Sequence, residues 1–285
     1  LFNILDVTRF QADPLPEHLP EGCPPQLEYM VQALKDLTVR NIQEVFNDAI
    51  FYRDETRRLF QNGQISLRDR SLAEQLFWTT INEISRLSKE LKNPSAELTD
   101  LDRVLSDFYY CNFSVFQSLP DAWAIGQLFP IMPIHRLNEE PTRKGILADI
   151  TCDCDGKIDQ FIDKRGVKRY LPLHELKPYE EYYLGAFLVG AYQETLGDLH
   201  NLLGDTNVVT IRIQEKGEFE FVSEQEGDTV AEVLSYVQYD PKRLFVRFRE
   251  TAEQAVRSGK ISAQERREIV DAYEAGLRGY TYFER

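Results

Sequence analysis

A chain of 285 residues with 42% hydrophobic and 28% charged side chains, 15 Gly and 13 Pro is long enough for one or two cores and excludes wholesale disorder. Its 33 basic residues face 47 acidic ones, and the net charge of -14 excludes nucleic acid as the main partner, since such a chain repels phosphate backbones and anionic lipid. No stretch nears the roughly 18 apolar residues of a membrane span, and Cys23, Cys111, Cys152 and Cys154 have no C-x-x-C spacing, so no membrane partner, a cytoplasmic location and reduced thiols are expected.

Leu1 to Val7 is a short apolar, strand-like run. Asp13 to Pro25 then holds Pro14, Pro16, Pro20, Pro24 and Pro25, which forbids regular structure and predicts a linker. From Gln26, apolar residues mostly at three- and four-residue spacings (Leu27, Met30, Val31, Leu34, Leu37, Ile42, Val45, Phe46, Ala49) predict a long amphipathic helix with one irregularity, ending near Asn62-Gly63. Ser71 and Glu74 form a capping-box pattern that predicts the start of a second helix running to about Lys92, before Asn93-Pro94. A shorter helix follows over 96–106.

At Phe108 the residues turn aromatic and β-branched, and strands are predicted over 108–116, 130–136, 145–153, 170–176, 181–190, 207–214 and 218–222. Turn residues such as Asp155-Gly156, Gly204-Asp205 and Lys216-Gly217 separate them, and Tyr192 to Leu203 has helical spacing. Helix returns from Thr229 to Leu277. The expected fold class is α+β: an antiparallel, barrel-like β domain over 108–226, preceded by an end-of-barrel and linker segment over 1–24 and a helical insertion over 25–107, and followed by a helical domain over 227–285. The chain is expected to be a piece of something longer.

The densest chemistry is Asp149-Ile150-Thr151-Cys152-Asp153-Cys154-Asp155-Gly156, a predicted strand ending in a turn with two thiols and two carboxylates at its tip. An extended C-x-C would send the sulfurs to opposite faces, and no nearby His or Cys completes a tetrahedral set, so no metal ligand is assigned. A buried thiol beside a polar Asp-Gly hairpin tip explains the same residues, and residue chemistry leaves the cluster a candidate. Gly190-Ala191-Tyr192 could let backbone and a phenol approach a phosphate, or be packing glycine beside an interface tyrosine. His135, His174 and His200 are scattered, and phosphate-loop and H-E-x-x-H sequences are absent. The 17 Phe, 14 Tyr and 2 Trp favour core and subunit interface over base stacking.

Three segments carry a resemblance: LPDAWAIGQLFPIMPIHRLNEE over 119–140, ADITCDCDG over 148–156, and GAYQE over 190–194 with GDLHN over 197–201. In these the chain resembles the biosynthetic arginine decarboxylases, of the alanine-racemase-like class of pyridoxal-phosphate enzymes. The resemblance extends over essentially the whole chain. The family pattern reads Cys-Asp-Ser-Asp-Gly, so Cys154 is a departure that sets a second thiol beside Cys152.

The resemblance implies that this chain is the C-terminal half of an enzyme converting L-arginine to agmatine and CO2 in polyamine (spermidine) biosynthesis. Its N-terminal β/α barrel, absent here, would carry the Schiff-base lysine for pyridoxal 5'-phosphate, and Mg2+ is a further cofactor that the family resemblance allows. The segment alone would be inactive. Cys152 would reach the barrel of a partner protomer and give a proton, Asp153 or Asp155 would grip the guanidinium, with Asp153 preferred, and Tyr192 would contact the cofactor phosphate, which makes at least a homodimer. Cys152 and Tyr192 should then lie on one side of the β domain. Two alternatives are a non-catalytic regulatory or binding subunit lacking the barrel, and a decarboxylase of the same class acting on another amino acid such as ornithine, lysine or diaminopimelate.

Overall fold

The computed structural model describes residues 1–10, 14–16, 18–164, 166–215 and 217–284; Asp13 of the predicted linker and Lys216 of the predicted last turn fall outside them. The chain opens with strand β1 (Phe2–Thr8) and then builds a bundle from α1 (Pro25–Lys35), α2 (Ile42–Gln61) and α3 (Leu67–Ser88), closed by the short α4 (Ala96–Thr99) and α5 (Leu101–Val104). Leu27, Met30, Ile42, Val45, Phe46, Leu76, Phe77, Ile81 and Ile84 interlock in its core. The apolar spacing thus reports the buried face correctly, and the irregularity expected within 26–62 is a complete break into two helices. Asn41 explains the break: its Oδ1 accepts from the backbone N and Oγ1 of Thr38, and its Nδ2 donates to the Asp36 carbonyl, a local alternative to helical bonding.

The predicted helix start at Ser71 is also corrected. Ser66 is the N-cap, with its Oγ accepting from Asp69 N at 3.1 Å while Asp69 Oδ2 accepts from Ser66 N at 3.1 Å. Glu74, read from sequence as the reciprocal cap, instead takes a bidentate pair from Arg57 at 2.6 and 2.9 Å and ties α3 to α2.

The β domain follows with β2 (Asp107–Cys111), α6 (Val115–Ser118), α7 (Pro120–Ala124), β3 (Ile131–Pro133), β4 (Arg143–Ala148), β5 (Lys157–Ile158), β6 (Phe161–Asp163), β7 (Gly166–Lys168), β8 (Leu171–Leu173) and β9 (Tyr183–Ala186). Its main sheet runs β3-β9-β1-β2-β4-β5, with β8 also on β4, and curls into a half barrel. Pairing is antiparallel as expected except between β2 and β4, which run parallel because the chain crosses over between them through α6, α7 and β3. Ile4, Tyr109, Cys111, Leu147, Leu173 and Leu184 fill the concave side. β2 alternates buried and exposed, as an aromatic half-buried strand should. Gly145 is required there, because a Cβ would sit 2.5 Å from Leu173 Cδ1 and 2.8 Å from the Tyr109 ring.

Beyond β9 come α8 (Tyr192–Thr195), a 3-10 turn over His200–Leu202, a separate hairpin of β10 (Val208–Ile213) and β11 (Phe219–Gln225), and helices α9 (Val230–Tyr236), α10 (Pro241–Arg257) and α11 (Ala263–Arg278). The helical spacing over 192–203 therefore yields one turn of α-helix, not a long helix. Capping boxes at Thr229/Glu232 and Ser262/Glu265 start α9 and α11, and Asp240 with Pro241 starts α10. The tail returns to the β domain: Asn112 exchanges two hydrogen bonds with the backbone of Phe283, and Tyr282 Oη donates to the Gly204 carbonyl at 2.8 Å. No helix among the described residues is long and apolar enough to cross a membrane.

Candidate functional site

β4 stops at Ala148, so the predicted strand over 145–153 is five residues too long and the cluster at 149–156 is a loop. Asp149 is the reason. Its carboxylate is buried, with Oδ2 accepting from Val115 N at 2.8 Å and Oδ1 accepting from Thr151 N and Oγ1 at 2.9 and 2.7 Å. These bonds, with Ile150 N donating to the Phe113 carbonyl, turn the chain away from the sheet toward the start of α6, while Asp149 N donating to the Gly156 carbonyl adds a last rung to the β4–β5 hairpin. Gly156 closes the loop where nothing larger fits: a Cβ would meet Asp149 Oδ1 at 2.2 Å and Thr151 Oγ1 at 2.5 Å.

The tip itself is a turn. Asp153 Oδ1 accepts from Asp155 N at 2.9 Å, and the Asp153 carbonyl accepts from Gly156 N at 3.1 Å, an Asx-type closure. Cys152, Asp153, Cys154 and Asp155 all stand exposed on it. Because this segment is not extended, the expectation that Cys152 and Cys154 face opposite sides of a strand does not apply. Asp153, Cys154 and Asp155 offer ligand atoms within 4.8 Å of one another. A hard cation such as Mg2+ asks for oxygens throughout, and this exposed trio supplies two carboxylates and a soft thiol, so no step is derived through a metal here.

Two residues from the 3-10 turn meet the tip. Asn201 Nδ2 donates to Cys152 Sγ at 3.2 Å, and His200 Nε2 lies 3.8 Å from Asp153 Oδ2. The His200 ring also packs on Phe116 at 4.5 Å between centroids, and Phe116 meets Trp123 edge-on at 5.1 Å. The thiol of Cys111, unlike the exposed ones of the tip, is buried. Complete burial pushes the Cys111 thiol well above its ordinary range, and its Sγ donates to the Tyr109 carbonyl at 3.3 Å, a packing role.

Tyr192 begins α8, which leans on α6 and α7. Gln193 Nε2 donates to Asp121 Oδ2 at 2.5 Å and its Oε1 accepts from Asp121 N at 3.2 Å, while Asp198 N donates to the Phe116 carbonyl. A Cβ on Gly197 would sit 2.7 Å from the Gln117 carbonyl, so this chain crosses α6 in close contact. The tip and the α8 segment thus hang from the same short helices, although Cys152 and Asn201 are 49 residues apart. The Tyr192 side chain is 77% exposed. A Cβ on Gly190 would meet nothing within 4 Å, so within this chain no packing demands that glycine. Residue chemistry alone does not single out His200, Asn201 or the anchoring role of Asp149. No local motif joins them to Cys152, since their partnership is made by the crossover and not by spacing.

Comparison with known proteins gives two family matches: the arginine decarboxylase helical bundle domain over residues 20–102 and the arginine decarboxylase C-terminal helical extension over residues 230–283. Among curated relatives, the chain is 48% identical to a biosynthetic arginine decarboxylase of Gloeobacter violaceus, matching 99% of this chain and 44% of that protein. It is 45% identical to one of Nostoc sp., matching 99% of this chain and 41% of that protein. The crystal structure of the biosynthetic arginine decarboxylase of Campylobacter jejuni superposes with a TM-score of 0.78 at 30% identity, covering 99% of this chain and 45% of that one. The chain thus spans less than half the length of the relatives it matches.

Proposed function

We propose that this chain, a member of the arginine decarboxylase family that carries its helical bundle and C-terminal helical extension, completes a site converting L-arginine to agmatine and CO2. In this reading the site is shared with a β/α barrel of a partner protomer that holds pyridoxal 5'-phosphate through a lysine, so the working unit is at least a homodimer. The observation that carries it is the exposed, rigidly anchored tip on which Cys152 and Asp153 stand side by side with His200 and Asn201 behind them. Such a tip, presented outward from a curled sheet, suits insertion into a cavity supplied by another body.

Pyridoxal phosphate fits what this chain offers. The exposed Tyr192 phenol is a donor for a phosphate oxygen, and the open space at Gly190 lets that oxygen approach the backbone without a clash. When bound, the cofactor supplies the electron sink that decarboxylation requires. Cys152 holds a proton at Sγ and delivers it to the substrate carbon that CO2 leaves. Asp153 has its carboxylate oriented in advance by the Asp155 amide on Oδ1, and Oδ2, 3.8 Å from His200 Nε2, remains an acceptor for the planar guanidinium. Asp155 adds a second negative charge on the same tip, and a net charge of -14 favours approach of a cationic substrate.

Agmatine release by the full-length protein, supplied with pyridoxal phosphate and each of L-arginine, L-ornithine and L-lysine, tests this reading. Release of agmatine alone is expected. Turnover of ornithine or lysine in preference to arginine would reassign the substrate.

A further inference from the structure

The 3-10 turn behind the tip is conformationally costly. Asn201 and Leu202 both adopt left-handed backbone, with φ of 60° and 58°, in a segment that holds no glycine. A leucine rarely takes this region, and asparagine tolerates it better than most residues. Backbone strain of this kind persists only where surrounding contacts over-determine it. Here the contacts are visible: the His200 ring on Phe116, Asp198 N on the Phe116 carbonyl, and Asn201 Nδ2 on Cys152 Sγ.

From this geometry we propose that Asn201 is a positioning residue for the proton-donating thiol of Cys152. Its left-handed backbone aims the side-chain amide at Sγ, and the donated N–H fixes the direction of the sulfur and stabilises the negative charge that sulfur bears once its proton has gone. The inference rests on the reading of Cys152 as proton donor. The carboxylates of Asp153 and Asp155 work against a bare thiolate, His200 is turned toward Asp153 Oδ2 at 3.8 Å, and neither these groups nor Cys154 makes a hydrogen bond to Sγ among the described residues. The amide of Asn201 is therefore the group here that favours both the orientation and the deprotonated form of the thiol.

Two substitutions separate the amide from the backbone. Asn201→Gly keeps the left-handed conformation at no steric cost and removes the donor. Asn201→Asp keeps the shape and the backbone tolerance and replaces the donor with an anionic acceptor. In the full-length protein without arginine, limited alkylation by iodoacetamide is followed by mass spectrometry, with fragment ions of the tryptic peptide spanning 145–157 distinguishing Cys152 from Cys154. Because the thiolate is the nucleophile and its reactivity partly offsets its abundance, alkylation of Cys152 at neutral pH is expected to slow about twofold or more in Asn201→Gly and further in Asn201→Asp. Cys154 serves as the internal reference, with its rate unchanged in both. Equal or faster alkylation of Cys152 in both variants overturns the proposal. The outcome is independent of the decarboxylase reading, which fails on its own terms if Cys152→Ala retains full agmatine formation.

Discussion

The roles proposed for Cys152 and Asp153, neighbours in sequence, are separable. A proton donor acts late, so Cys152→Ala in the full-length enzyme is expected to lower kcat with little change in arginine binding. A guanidinium ligand acts from the first encounter, so Asp153→Ala should weaken arginine binding by about 1.5–3 kcal/mol, less where Asp155 compensates. Steady-state and single-turnover kinetics on both variants check this, and equal loss of binding in the two would contradict the assignment. Gly156→Ala bears on the same tip, since its Cβ would fall 2.2 Å from Asp149 Oδ1. That variant is expected to lose activity along with Cys152→Ala while retaining the bundle's helical circular dichroism. The cluster at 149–156 is legible from the sequence as a concentration of chemical groups. Its conformation is not, because the bond that shapes it joins Asp149 to Val115, 34 residues away.

At the scale of elements, apolar periodicity identifies the buried faces well, and errors gather where a side chain bonds to backbone. Asn41 splits a helix that the apolar spacing runs together, and Asp149 ends β4 early. Short strands such as β5, β6 and β7 carry too few residues for alternation to register, and they are absent from the predicted set. The caps of the C-terminal helices give a pH prediction. Hydrogen bonds from Thr229 and from Ser262 hold the Glu232 and Glu265 carboxyls below their ordinary value of 4.5. Their stabilisation is therefore fully present above 4.5 and disappears as pH falls through the lowered folded-state values. Acid titration followed by hydrogen exchange at the first turns of α9 and α11 should show protection lost below 4.5, and Glu265→Gln should flatten that response in α11. In the bundle, Ile84 is fully buried, so Ile84→Ala is expected to cost about 2–5 kcal/mol in chemical denaturation.

Across the whole molecule, two hydrophobic cores sit on one chain and are joined by specific side-chain contacts. Phe10, whose backbone N donates to the Asp107 carboxylate of β2, meets Trp78 of α3 edge-on at 4.8 Å, and Lys144 of β4 pairs with Asp102 of α5. The order of helical insertion, β domain and helical tail is legible from composition, since aromatic and β-branched residues concentrate between the two helical stretches. The parallel pairing of β2 with β4 is not, because crossover direction leaves no mark on residue spacing. The central claim is that the tip bearing Cys152 completes a site on the barrel of a partner protomer. Co-expression of full-length Cys152→Ala with a full-length form lacking the cofactor-binding lysine tests it most directly. If the site is shared, each mixed dimer regains one intact site, and agmatine formation should return to about a quarter of the wild-type rate at random pairing. No recovery above the two inactive parents would contradict it and place the thiol and the cofactor within one protomer.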